Sequence, residues 1–118
     1  MPFDTGTILK KHTNASVLLL RAAEIISREE DWNVGTAYGR GGRLFSRHST
    51  YCAIGAVRYA RSKFDLGDKD GKTAQKFLNM ASKSHGFQTI EALNDHPDTT
   101  HALVLQVFQE AADLAMAE

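Results

Sequence analysis

The sequence has little of what secreted and membrane proteins depend on. Its 118 residues contain one cysteine, two prolines and one tryptophan. A lone cysteine, Cys52, cannot form an intramolecular disulfide, which excludes a disulfide-stapled secreted domain and predicts a reducing, cytoplasmic compartment. No apolar run approaches the roughly 18 residues of a membrane-spanning helix. The first residues also lack the charged region followed by an apolar region that is typical of a signal peptide. We therefore expect no contact with a membrane.

Net charge is also absent, because 14 basic residues balance 14 acidic ones. This balance excludes a uniformly basic nucleic-acid binder and a uniformly acidic mimic of nucleic acid. The hydrophobic fraction of 42% and the charged fraction of 24% are those of a globular protein. The length fits one domain, so we predict a single domain over residues 1–118.

The charges are nevertheless unevenly distributed along the chain. Residues 32–64 contain six basic and no acidic residues, whereas residues 84–118 contain six acidic and no basic residues. Three explanations remain open: the two segments face each other inside the fold, they support homo-oligomer formation through complementary patches, or the basic segment binds an acidic partner.

Apolar residues at helical spacing predict a mainly α fold, with Leu18 and Phe77 in the core and with Val104, Leu105, Phe108 and Ala111 in the buried stripe of the last helix. Long helices are expected over about 14–30, 51–64 and 73–84, and from residue 98 or 99 almost to the end. A polar loop that contains Gly67 and Gly71 is expected at 65–72. The expected N-caps are Asn14, Ser49 or Thr50, and Asp98 or Thr99. A glycine, Gly86, should end the third long helix. A helical turn is expected at 89–93, and a turn at 94–98, before and after Pro97.

The segment between the first two long helices has a different pattern. Residues 32–46 are rich in glycine, and Gly41-Gly42 is a turn signal. The prediction is a compact bundle of about four helices with a short β-hairpin or extended loop at about 32–47. The second long helix opens with the apolar residues 51–57, which indicates burial on every side.

Two short motifs suggest a relative. Cys52-Ala53-Ile54-Gly55-Ala56 opens a helix, and Leu93-Asn94-Asp95-His96-Pro97 leads into the last one. Together they resemble an uncharacterised family of small proteins from actinobacteria, other bacteria and their phages, which pairs a Cys-x-x-Gly-Ala helix with a Trp-Asn-Asp-x-Pro turn. The resemblance spans about 32–108 and departs at Leu93, where the family usually has Trp, and at 98–99, where it often has Gly-Arg. It implies a small helical domain of unknown function and supplies no catalytic residue.

One hypothesis from the residues themselves is a cysteine-dependent enzyme. With Ser49 as N-cap, Cys52 falls in the first helical turn, where thiols can become nucleophiles. His96 or His101 would be the base, and Asp95 or Asn94 the orienting group. The alternative is that Cys52 is a small core residue, since free cysteines are among the most buried side chains.

Metal and cofactor sites are not predicted. The histidines lack the i, i+4 spacing of a helical zinc pair. A calcium loop aligned on Gly71 would have Leu66 and Phe77 at its first and last positions, where carboxylates are required. We therefore expect no metal and no cofactor.

The preferred hypothesis is a non-enzymatic helical module that binds a protein partner. Its expected contact residues lie in the glycine-rich segment at about 32–47 and at the turn near Asn94. They are Trp32, Tyr38, Arg40, Arg43, Phe45, Arg47, Asn94 and Asp95. A phage or mobile-element accessory protein, such as an antagonist of host defence, fits the resemblance. An alternative is a nucleic-acid-binding protein that uses the basic segment 40–63, with arginines on phosphate and nearby aromatic rings for stacking.

Overall fold

A computed structural model of the chain describes residues 12–34 and 50–117. Within these ranges it contains five α-helices, four long and one short, and no β-strand. They are α1 (Asn14–Ile25), α2 (Ala53–Lys63), α3 (Asp68–Lys83), α4 (Ile90–Asp95) and α5 (His101–Ala117). The predicted mainly α bundle is confirmed. The hairpin or loop predicted at 32–47 lies outside the described residues from position 35 onwards.

The core forms where the apolar faces of the long helices meet. Helix α1 packs against α2, α3 and α5, and α3 also packs against α5. The short α4 contacts α2 and α3. The helical periodicity located most of this core correctly, including the buried Leu18, Phe77 and Phe108. In α5 the buried stripe includes Val107, which we did not predict, while Leu105 is only half-buried.

The first helix is capped one residue earlier than expected. Thr13, not Asn14, is its N-cap: the Ser16 N–H donates to Thr13 Oγ1 at 3.1 Å, and the Thr13 N–H donates to Ser16 Oγ at 2.8 Å. This reciprocal pair is a capping box, which explains why a serine is buried in the core. The helix ends at Ile25, short of the predicted Glu30, and a 3₁₀ turn follows at Glu29–Asp31. Acidic residues are unfavourable at the negative end of a helix dipole, so the change of structure there has an electrostatic reason.

The second helix begins later than predicted. It starts at Ala53, and Cys52 is the N-cap and not a residue of the first turn. Tyr51 pairs instead with the chain after α1 in an isolated parallel bridge to Trp32. Of the residues 51–57 that were expected to be buried, 53–57 are buried, whereas Tyr51 and Cys52 are half-buried.

The third helix begins five residues before the predicted start. Gly67 is its N-cap, and Asp68 and Asp70 occupy its first turn, where the helix dipole favours carboxylates. Gly71 was interpreted as a loop residue, but it lies inside the helix. A Cβ at this position would lie 3.0 Å from Arg61 Cδ, so the glycine lets the arginine lie against α3.

The end of α3 confirms the predicted glycine stop. Gly86 has φ +89°. The Phe87 N–H donates to the Ser82 carbonyl and the Gly86 N–H to the Lys83 carbonyl, both at 3.1 Å. These are the two bonds of a Schellman motif, which requires a left-handed residue.

The region around Pro97 is more helical than predicted. Asn94 and Asp95 belong to α4, which Thr89 caps, so the turn is confined to the residues after them. The last helix begins at His101, after both predicted caps. Thr100 caps the helix instead, because its hydroxyl oxygen accepts a hydrogen bond from the Leu103 N–H at 3.1 Å.

Candidate functional site

Asn94 lies at the centre of a polar junction that joins four helix ends. Its side chain is only 2% exposed. Its Oδ1 atom accepts from the Trp32 indole N–H at 2.7 Å and from the Ala53 backbone N–H at 3.0 Å. Its Nδ2 atom donates to the Asn33 carbonyl at 3.2 Å and to Asp95 Oδ1 at 3.0 Å. One amide therefore holds the start of α2 against the chain that follows α1.

The junction extends to the last helix through two rings. The rings of Trp32 and His101 lie 5.9 Å apart, centroid to centroid. His101 Nε2 lies 2.6 Å from the Ile26 carbonyl oxygen, to which it donates, because a carbonyl oxygen only accepts. The start of α5 is thereby bound to the end of α1. We call Trp32, Ala53, Asn94 and His101 the Asn94 junction.

The described residues on either side of 35–49 meet beside this junction. The Tyr51 N–H donates to the Asp31 carbonyl at 2.9 Å, and the Asn33 N–H donates to the Tyr51 carbonyl at 3.0 Å. Asn33 Nδ2 also donates to Thr50 Oγ1 at 2.8 Å. Arg28 binds both carboxylate oxygens of the buried Asp31, at 3.1 and 3.3 Å. The hydrogen bond to Asp31 and the charge of that carboxylate raise the pKa of the Arg28 guanidinium.

The predicted catalytic residues lie around the junction, and each forms its own hydrogen bond within the fold. Cys52 is half-buried, and its Sγ accepts from the Gly55 N–H at 3.4 Å. His96 is exposed; its Nδ1 accepts from the Asp98 N–H at 3.1 Å, and its ring meets the Phe87 ring edge-on at 5.2 Å. Within the described part of the chain, no hydrogen bond joins Cys52 to His96. The thiol and a base are therefore not paired in this arrangement, and the enzyme hypothesis stays a prediction.

The predicted binding residues divide into two groups. Trp32 and Asn94 are brought together by a direct hydrogen bond, with Asp95 next to them. The other five, in the glycine-rich segment, lie outside the described residues: Tyr38, Arg40, Arg43, Phe45 and Arg47.

Another histidine contact joins the end of α3 to α5. His85 Nε2 is 2.8 Å from Glu110 Oε1. Burial alone would raise the pKa of Glu110, but hydrogen bonds from His85 and Gln106 together with the charge of His85 lower it overall. Across residues 12–34 and 50–117 there is no group of three His, Cys, Asp or Glu side chains placed to hold a metal ion. Nor does any helix in those ranges have both the length and the apolar character to cross a membrane.

An exposed group of aromatic rings and cations was missed in the sequence. Tyr59 is 41% exposed and stacks on Tyr51 with 5.0 Å between the ring centroids. Phe64 is 40% exposed, and Arg21 Cζ lies 5.2 Å from the centre of its ring. Lys63 Nζ lies 5.9 Å from the Tyr59 ring and 5.7 Å from the Phe64 ring. We call these five residues the aromatic–cation patch. The i, i+4 spacing of Tyr59 and Lys63 was its sequence signal.

Comparison with known proteins identifies a family but no activity. A family model described as a family of unknown function (DUF6197) matches residues 10–114. The chain matched no curated protein and no solved structure.

Proposed function

The chain belongs to the family of unknown function DUF6197, and from its own geometry we propose that it is a non-enzymatic helical module that binds another protein. The observation that carries the proposal is the aromatic–cation patch, where two aromatic rings are about two-fifths exposed beside two cations. Aromatic and arginine side chains are enriched in protein interfaces and dominate their binding energy. Their exposure on a small helical domain therefore favours a protein contact.

The partners of the polar side chains also favour binding over catalysis. Asn94 and His101 are engaged with backbone and side-chain groups of the fold. These bonds hold helix ends together, which is a structural task. In this proposal, the junction keeps the molecule rigid and the exposed patch makes the contact.

The proposal also covers the cellular compartment and the biological role of the protein. A single free cysteine suits a reducing compartment, so we propose that the protein acts in the cytoplasm. A role as a phage or mobile-element accessory protein, such as an antagonist of host defence, follows from the resemblance of its motifs.

The experiment compares proteins captured from the source cells by the full chain and by two variants. Tyr59→Ser with Phe64→Ser removes the exposed rings of the patch, whereas Leu114→Ser removes an exposed apolar side chain on α5. A true partner is retained by the wild type and by the control, and falls at least 10-fold with the patch variant. Binding must then be reproduced with the purified pair, with both variants shown to be folded by circular dichroism. Equal retention of every captured protein by the patch variant would contradict the proposal.

Two alternatives have direct tests. If Cys52 is a nucleophile, iodoacetamide will label the native protein rapidly, whereas labelling only after denaturation eliminates the enzyme. If the basic segment binds nucleic acid, the chain will retard DNA or RNA at low salt, and its affinity will fall steeply as salt rises. No retardation at low salt eliminates that alternative.

A further inference from the structure

The exposed side of α3 carries a stripe of lysines. Lys69, Lys72, Lys76 and Lys83 are spaced by three, four and seven residues. At 3.6 residues per turn these spacings place all four within about 60° of one another, along about 21 Å of helix. All four are exposed, and no carboxylate of the described residues lies within 4.0 Å of their ammonium groups. The stripe is therefore an uncompensated line of positive charge.

The stripe continues into a cleft between α2 and α3. The cavity has a volume of about 300 Å³. Two apolar residues, Ile54 and Val57, line the part of the cavity that we call its floor, and they are 7% and 4% exposed. Around this floor lie three cations, one carboxylate, one amide and a glycine: Arg58, Arg61, Lys72, Asp68, Gln75 and Gly71.

The charges around the cleft do not cancel. Asp68 pairs with Arg61 at 2.9 Å, whereas Arg58 and Lys72 have no ion-pair partner among the described residues. Three cations against one carboxylate leave a net charge of +2. Lys72 also lines a second depression of about 480 Å³, together with Lys76 and the 42% exposed Met80. We call the cleft and the lysine stripe together the cationic cleft.

We propose that the cationic cleft binds an acidic, amphipathic segment of a partner protein. An apolar side chain of that segment occupies the cleft above Ile54 and Val57, and its carboxylates lie along the lysine stripe. Charge complementarity selects the acidic segment, and the apolar floor selects a peptide over a phosphate backbone. This inference rests on the proposed function, a protein-binding module, and assigns to it a contact surface other than the aromatic–cation patch.

Two other occupants fit these observations less well. A nucleic acid would use the cations but leave the apolar floor and Met80 without a contact, and no aromatic ring lines the two depressions for base stacking. Three of the acidic side chains that a second copy of the chain would present are already engaged. Glu110 is bound to His85 and Gln106, Asp113 to Gln109, and Glu91 to Gln75.

The experiment selects peptides with the full-length protein. A displayed library of random 12-residue peptides is panned against the wild type, and the affinities of the enriched sequences are measured by fluorescence anisotropy. We expect enriched peptides with at least three Asp or Glu residues and one large apolar residue. Replacing that apolar residue by serine should weaken binding at least 10-fold, because the cleft floor loses its contact.

Variants of the protein then locate the site. Lys72→Glu with Lys76→Glu should weaken the peptides at least 10-fold, and Lys72→Gln with Lys76→Gln should weaken them by a smaller factor. The control is Gln88→Glu with Ala102→Glu, two exposed positions outside the cationic cleft. It lowers the net charge by two, as the glutamine pair does, and should change affinity less than 2-fold. These lysines are exposed, so the variants should remain folded, as checked by circular dichroism.

Three results would overturn the inference: an enriched set without acidic peptides, acidic peptides that ignore the Lys72 and Lys76 variants, or binding unchanged by the serine replacement. If duplex DNA binds with the same dependence on Lys72 and Lys76 as the peptides, the cleft is a general polyanion surface and the proposal also fails. The patch variants of the capture experiment keep the two proposals separate. Peptides that still bind Tyr59→Ser with Phe64→Ser support the cleft even if the patch captures no partner.

Discussion

Replacing Asn94 by alanine tests whether one buried amide holds the helix ends together. The substitution removes both hydrogen bonds that Oδ1 accepts, from Trp32 and Ala53, and both that Nδ2 donates. The Ala53 N–H is the most costly loss, because this residue is completely buried and its donor would have no partner. An unsatisfied buried donor costs about 1–3 kcal/mol, and each of the remaining bonds contributes about 1 kcal/mol. Since the Asp95 contact is partly exposed, we expect a total loss of about 3–5 kcal/mol.

Two control variants make this value interpretable. Asn79→Ala also removes an asparagine that bonds a backbone N–H, that of Ile90 at 2.8 Å, but at a half-buried site with one such bond. Because Ile90 is completely buried as well, the loss of this one partner should cost about 1–3 kcal/mol. Asn94→Asp keeps an acceptor for Trp32 and Ala53 but loses the donor and sets a carboxylate 3.0 Å from that of Asp95. The new carboxylate oxygen also faces the Asn33 carbonyl oxygen, so the variant should be less stable than the wild type, and the difference should shrink as the pH falls and the carboxylate is protonated.

Chemical denaturation is the assay, with two independent signals. Far-UV circular dichroism follows the helices, and fluorescence follows Trp32, the one tryptophan of the chain, whose indole N–H is bonded to Asn94. A typical domain is stable by about 5–15 kcal/mol, so the loss should move the denaturation midpoint substantially. The melting temperature should fall by about 10–20 °C. The reasoning is refuted if Asn94→Ala destabilises the protein no more than Asn79→Ala.

Three further predictions concern a turn, a charge and the cysteine. Gly86→Ala should lower the free energy of unfolding by about 1 kcal/mol in thermal or chemical melts, because the φ of +89° at this position is strained for a residue with a side chain. Gly86→Asn should lower it by less, since asparagine tolerates the left-handed region better. Equal stability of all three proteins would contradict this prediction. The pKa of Glu110 is lowered in the fold, so its stabilisation is present above the ordinary value of 4.5 and is lost as the pH falls through the lowered pKa. The stability difference between the wild type and Glu110→Gln should therefore shrink in melts below about pH 4.5, and a difference that grows there would be inconsistent with the lowered pKa. The free energy of unfolding of Cys52→Ser should match that of the wild type within about 0.5 kcal/mol in denaturation melts. That of Cys52→Ala should be about 1 kcal/mol lower, since serine caps helices and alanine does not. An alanine variant as stable as the serine variant would show that the cap is unimportant.

The helical fold was largely predictable because its signals are local. Apolar residues three and four apart define one helix face whatever surrounds it. The buried stripes of α1, α3 and α5 were therefore located correctly, except that Val107 is buried in α5 where Leu105 was predicted. The glycine stop at Gly86 is local in the same sense. Helix ends were predicted less well, because several residues in a row can cap and the competing partner is distant. The end of α1 is one example, since the Ile26 carbonyl binds His101.

The candidate sites were harder to predict, for two different reasons. Asn94 was noticed for its turn chemistry, but its partners Trp32 and Ala53 lie 62 and 41 residues away in the chain. The lysine stripe was missed because residues 65–72 were interpreted as a loop, which separated Lys69 and Lys72 from the helix that aligns them with Lys76 and Lys83.

The amino-acid sequence by itself determined the helical class, the core faces and the separation of basic from acidic segments. These properties depend on side-chain type and on short spacings, which the backbone converts directly into faces. Only the tertiary structure decided that Asn94 serves as a junction for four helix ends, that Cys52 caps α2, and that the lysines of α3 border an apolar cleft against α2. Each of these depends on contacts between distant parts of the chain, and packing of the helices is what brings those parts together.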